Sequence, residues 1–138
     1  MVGNNSASIV AEAYLKGGRG YDINTLYEAL IHGANSEGPH GTGRTGVKFY
    51  NSLGYVPYNV GINENAARTL EYAYDDYCIY QLGKALGKPD SEIDIYKRHS
   101  MNYKNLFDSS HLLIRGKNKE GNFQSPFNPF KWGYAFTE

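Results

Sequence analysis

The side chains in this sequence with the chemistry for catalysis or ligand binding fall into a few groups. They are the adjacent Asp75 and Asp76, the four histidines, the run Gly41-Thr42-Gly43-Arg44-Thr45-Gly46, and Glu138, which follows an aromatic segment. Neighbouring residues of a helix point about 100° apart. Asp75 and Asp76 therefore cannot face one substrate bond as an acid and base. The expectation for both is structural, with one turned inward to fix an arginine or a backbone group and the other in solvent. His32, His40, His99 and His111 show no metal-ligand spacing and read as surface or packing residues. The glycine run lacks the Lys-Ser/Thr ending of a phosphate-binding loop and follows no predicted strand, so it reads as a flexible loop. The turn Lys117-Asn118-Lys119-Glu120-Gly121 has too few acidic ligands for a calcium loop. Glu138 remains, directly after a loop bearing Trp132, where a sugar ring would stack. On residues alone it reads either as an ordinary surface carboxylate or as an acid walled by Phe130, Trp132 and Phe136, a setting that raises a carboxyl pKa.

The bulk properties bound what these residues can serve. A chain of 138 residues can enclose a real core. Its 14 basic and 14 acidic side chains cancel, which removes the long-range attraction that draws proteins to nucleic acid. No stretch approaches the roughly 18 to 20 apolar residues that span a bilayer. Residues 1–8 show neither the charged nor the apolar region of a signal peptide. Cys78 is the single cysteine, which excludes an internal disulfide and a cysteine-rich zinc site; beside Tyr77 and Ile79 it reads as a small buried hydrophobe. The 13 tyrosines suit surfaces that hold polar ligands, but most of them read as rings filling helix–helix interfaces.

The elements that would position these groups are mainly helical. Residues 6–16 form a first helix with Ile9, Val10, Ala13 and Tyr14 on one side, ended by Gly17-Gly18. Asp22 caps a second, whose face is Leu26, Ala29 and Leu30. A polar loop over 33–46 leads to a short helix over 47–53. Asn63 caps a long helix to Leu86 with Leu70, Ala73, Tyr74, Tyr77, Cys78, Leu82, Ala85 and Leu86 as its apolar positions, stopped by Gly87 and Pro89. Ser91 and Asp94 have the spacing of a capping box for the next helix, whose face runs from Ile93 through Tyr96, His99 and Tyr103 to Phe107. These two should form an antiparallel hairpin. Beyond Asp108 the pattern turns extended, with a small β-hairpin or loop over 112–124, then a proline-punctuated aromatic loop.

Several segments in order resemble glycoside hydrolase family 92. The run Ala67-Arg68-Thr69-Leu70-Glu71-Tyr72-Ala73-Tyr74-Asp75-Asp76-Tyr77 resembles the family's "SRTLEYAYDDW". Tyr103-Lys104-Asn105-Leu106-Phe107-Asp108 resembles "YKNLFD", Arg115-Gly116-Lys117-Asn118 resembles "RGRN", and Phe136-Thr137-Glu138 resembles the start of "FTEGN". Where many members carry Gly-x-His-Ala, this chain has Gly3-Asn4-Asn5-Ser6, so no histidine stands at Asn5. The resemblance implies an exo-acting, Ca2+-dependent, inverting α-mannosidase, often of α-1,2 links in mannan or high-mannose N-glycans. It implies an (α/α)6 barrel packed on a β-sandwich domain, in a periplasmic or extracellular enzyme. It makes Glu138 the general acid and Trp132 a candidate stacking platform for a mannose-containing glycan. The general base and the calcium ligands are expected downstream of Glu138, outside this chain. Residues 1–138 then form one partial domain, a fragment expected to be inactive alone and to leave apolar surface for the rest of the parent polypeptide.

Two other readings fit the same helices. One is a helical-repeat binding module whose tyrosine-rich concave face takes a peptide or glycan. The other is an unrelated (α/α)-barrel glycosidase or lyase, since fold does not fix reaction.

Overall fold

The computed structural model describes residues 2, 5–38, 42–131, 133 and 135. Among them the chain is mainly helical: α1 (Ser6–Leu15), α2 (Ile23–Ala34), α3 (Val47–Leu53), α4 (Asn65–Ala85) and α5 (Asp90–His99), then a 3-10 helix (Asn102–Leu106) and the strands β1 (Phe107–Asp108) and β2 (Leu113–Ile114).

Local chemistry explains several boundaries. Asp22 Oδ1 accepts from the backbone N–H groups of Asn24 and Thr25, both at 3.1 Å, which satisfies two donors of the first turn of α2. Gly46 and Gly54 flank α3 in the left-handed conformation, at φ 78° and 77°. The expected caps of the later helices are not used. Asn63 does not cap α4, which begins at Asn65 after a left-handed Glu64 and has no side-chain cap. Its Ala66 and Ala67 N–H groups instead donate to the distant Ala135 carbonyl, at 2.9 and 3.2 Å. The Ser91–Asp94 capping box is not formed either, because α5 already starts at Asp90 after an extended Pro89.

Helix α4 is the axis of the fold and packs against α1, α2, α5 and the 3-10 helix. The main core joins Ala7 and Ala11 of α1, Tyr27, Leu30 and Ala34 of α2, Cys78, Ile79 and Leu82 of α4, and Tyr96 of α5. The α4–α5 pair is the expected hairpin, and Cys78 is buried as expected, with burial pushing its thiol pKa up. Gly83 lets these helices approach: a Cβ there would sit 2.6 Å from Ile93 Cγ2 and 3.0 Å from Tyr27 Oη. Burying a side chain such as Ile79 or Leu82 contributes roughly 1.5–3 kcal/mol, against a few tenths for differences in helix propensity. Packing partners therefore choose the inward face. In α1 that face is Ala7 and Ala11, while the expected Ile9 is 68% exposed. In α2, Tyr27 and Ala34 are buried in place of Ala29. In α4, the expected Tyr74 and Tyr77 stand 56% and 49% exposed, whereas Thr69, Tyr72, Asp75 and Asp76 are buried.

The chain leaves the helical run earlier than its apolar spacing suggests. Helix α5 ends at His99, and Leu106 reaches the core from the 3-10 helix. Asn105 Nδ2 donates to the Gly54 carbonyl at 3.0 Å and Arg115 N donates to the Leu106 carbonyl at 2.8 Å, bonds that turn the chain into the sheet. Phe107 pairs with Ile114 and Asp108 with Leu113 in antiparallel register. The hairpin expected over 112–124 is thus two successive turns, the second closed by a bridge between Lys117 and Phe123.

Candidate active-site scaffold

Two buried arginine–carboxylate pairs hold the irregular segments in place. The first joins the glycine-rich loop to α4. Arg44 Nη1 donates to Asp76 Oδ1 at 2.7 Å, and both side chains are almost wholly buried. Tyr50 Oη lies 2.9 Å from Asp76 Oδ2 and 3.1 Å from the His99 carbonyl, sharing its one proton between them. His99 Nδ1 is 3.7 Å from the same carboxylate. Burial pushes the Asp76 carboxyl up from its ordinary value, against the pull of Arg44 and Tyr50, and burial also lowers the His99 pKa. The loop is tied further where Tyr72 Oη donates to the Thr45 carbonyl at 3.1 Å and Gly46 N donates to Glu37 Oε1 at 3.0 Å. The stretch expected to be flexible is therefore anchored at Arg44, Thr45 and Gly46. Asp75 and Asp76 are both buried, at 1% and 0% exposure, so neither carboxylate faces solvent as expected for one of them. Adjacent positions of α4 can both be inward because elements pack on most of its circumference.

The second pair organises the segment that leads to Glu138. Asp108 accepts from Ser110 N at 2.9 Å and Ser110 Oγ at 2.7 Å through Oδ1, while Oδ2 lies 2.8 Å from His111 Nδ1 and 2.6 Å from Arg115 Nη1. Hydrogen bonds from Ser110 and Arg115 hold its carboxyl well below the usual carboxylate range. Arg115 Nη2 donates to the Gln124 carbonyl, and the guanidinium lies 5.4 and 4.8 Å from the ring centres of Phe123 and Phe127. Gly116 accepts from Gln124 N at 2.8 Å; a Cβ on it would meet Asn65 Oδ1 at 3.2 Å and Ala135 Cβ at 3.5 Å.

Beyond these anchors lies a cavity of about 600 Å³ lined by Gln124, Pro126, Phe127, Asn128, Lys131, Gly133 and Ala135. Its size falls in the range of small-ligand sites. An apolar ring beside amide and ammonium groups is a combination that can meet both the C–H face and the hydroxyls of a sugar. Phe130, expected as a wall, is 93% exposed and packs against none of the described residues to any extent that shields it. Glu138 and Trp132 lie outside the described residues, as do Phe136 and His40. His32 is exposed, and His111 sits on Asp108. The residues that sequence reasoning passed over are Arg44, Tyr50 and Arg115. Arg44 was the one cation in a glycine-dense loop, and Arg115 the cation opening a turn, signals that become legible only beside a buried acid.

A second, apolar groove of about 540 Å³ runs between α4 and the 3-10 region, lined by Leu70, Ala73, Tyr74, Tyr77, Met101, Tyr103 and Ile114 with Ser100. Among the described residues no helix is long and apolar enough to cross a membrane.

Residues 1–138 match the glycosyl hydrolase family 92 catalytic domain, and the chain belongs to that family. It is 36% identical, over 145 aligned positions and 96% of its length, to an uncharacterized secreted glycosidase of Arthroderma benhamiae, of which it covers 18%. A solved family 92 inverting mannosidase of Bacteroides thetaiotaomicron superposes with a TM-score of 0.93 at 38% identity, over the whole of this chain and 19% of that one. A family 92 α-mannosidase of the same organism superposes at 0.86 and 34% identity, over the whole chain and 18% of the relative. The chain thus spans about a fifth of the length of these relatives.

Proposed function

We propose that this chain is the acid-bearing part of an exo-acting α-mannosidase that cleaves, with inversion, α-linked mannose from mannan or high-mannose N-glycans, α-1,2 links above all. The observation that carries this reading is the likeness, along the whole chain, to a solved inverting mannosidase of the family. In this reading residues 1–138 are one part of an (α/α)6 catalytic domain in a periplasmic or extracellular enzyme. The apolar groove beside Tyr74 and Tyr77 is where further helices of the same polypeptide pack, with a β-sandwich domain as a second neighbour.

Glu138 is the proposed general acid and Trp132 the proposed stacking platform. Inversion needs an acid that protonates the glycosidic oxygen and a base that activates water on the opposite face of the sugar, with the carboxyls roughly 6.5–9.5 Å apart. The base belongs to the rest of the polypeptide, so the isolated chain is expected to be inactive.

Calcium, which the family resemblance brings, is assigned to the rest of the polypeptide too. A hard cation takes several free oxygens. Among the described residues no three His, Cys, Asp or Glu side chains converge, and the buried Asp76 and Asp108 are each taken by a guanidinium, at 2.7 and 2.6 Å. The described residues do not fit this ion.

The test uses the full-length enzyme. Glu138→Gln should lose most turnover on mannosides with poor leaving groups and much less on activated aryl mannosides, which need little protonation. Near-normal turnover on both would remove the assignment.

A further inference from the structure

The segment between Gln124 and Ala135 is held at both ends by groups outside it. At its start, the Gln124 carbonyl accepts from Arg115 Nη2, and the Gln124 N–H donates to Gly116. Near its end, the Ala135 carbonyl accepts from Ala66 and Ala67 at the first turn of α4. Arg115 is 8% exposed and holds one position: Asp108 takes one end of its fork and Gln124 the other, with the Phe127 ring 4.8 Å from the guanidinium centre. A planar, always-charged fork is suited to fixing two acceptors and a ring at once, which a lysine ammonium cannot do.

We propose that Arg115 is a positioning residue for the acid of this enzyme, acting through the Gln124 carbonyl and the Phe127 ring on the segment that carries Glu138. The proposal rests on the assignment of Glu138 as the acid. Ala135 precedes Glu138 by three residues, and three residues of chain reach at most about 10 Å. Whatever sets the course of the chain from Gln124 to Ala135 therefore bounds where the acid can be delivered. Gly116 serves the same end, leaving room for Ala135 against Asn65 and Gln124. Arg115 is not proposed to touch the substrate.

The experiment compares Arg115→Lys and Glu138→Gln in the full-length enzyme on a poor-leaving-group mannoside and an activated aryl mannoside. A displacement of about 1 Å at a reacting group can cost about 100-fold. Arg115→Lys should therefore lower kcat on the poor-leaving-group substrate by roughly 10- to 100-fold, with little change on the activated one and KM within about threefold. A merely structural role would lower both substrates by one common factor, and that result, or no loss on either, overturns the proposal. If Arg115→Lys does not accumulate folded, Asp108→Asn replaces it: the amide keeps an acceptor for the guanidinium but withdraws the charge, and the same selective loss is expected in weaker form. Glu138→Gln separates the two levels. If it lacks the leaving-group dependence, the acid assignment falls and the positioning role with it. If it shows the dependence while the Arg115 and Asp108 variants do not, the positioning role alone falls.

Discussion

Arg44 and Asp76 meet 2.7 Å apart in full burial, joining a loop residue and a helix residue 32 positions apart in the chain. The pair pins the glycine-rich loop to α4 with each buried charge matched by the other. Taking two charges out of water costs several kcal/mol per ion, so such a pair adds little net stability, but removing one partner is expensive.

Arg44→Met or Asp76→Asn should each destabilise the fold by about 3–5 kcal/mol, since each strands or underpairs a buried group. Arg44→Met combined with Asp76→Leu should recover a large part of that loss. Chemical denaturation of the three variants measures it; single variants within about 1 kcal/mol of the parent would show that the pair is not buried as described.

Asp108 carries a pH signature of its own. Its folded carboxyl titrates well below the ordinary range, so the unfolded chain takes up the proton first. Stability from this group is fully present above the unfolded value of about 3.9 and is lost as pH falls below it towards the folded value. Asp108→Asn should therefore be less stable than the parent at neutral pH, and the gap should close as the solution becomes strongly acid. Unfolding midpoints of both proteins against pH are the measurement, and a gap that stays constant would contradict it.

The groove beside α4 predicts association behaviour. Tyr74 and Tyr77 are about half exposed, and Met101 and Tyr103 are 45% and 41% exposed, an apolar patch of the kind that is covered in folded enzymes. The isolated 138-residue chain should self-associate in solution. Tyr74→Glu with Tyr77→Glu should reduce that association while lowering the Tm of the full-length protein. Solution scattering that finds a compact monomer of the unsubstituted chain would count against the groove as a packing surface.

Much of the helical layout was legible in the sequence, because its signals are local. Asp22 is followed by N–H groups within its own reach, the bounds of α3 coincide with glycines that take a left-handed turn, and Gly87 with Pro89 stops α4 wherever that helix is placed. The family motifs are equally local strings. What the sequence could not show are relations across distance. Helix α4 takes its N-terminal partner from Ala135 and not from a neighbouring side chain, so Asn63 looked like a cap and is none. Periodicity ranks residues by polarity, yet α4 buries two aspartates and leaves two tyrosines exposed, since an arginine from the loop and a tyrosine from α3 neutralise and bond Asp76. Arg115 reads as an ordinary turn cation until the fold brings Asp108, Gln124 and Phe127 around it. The local pattern determined where helices form. The tertiary structure alone decided which charges could be buried, because a buried charge is tolerable only beside a partner that the linear sequence does not place next to it.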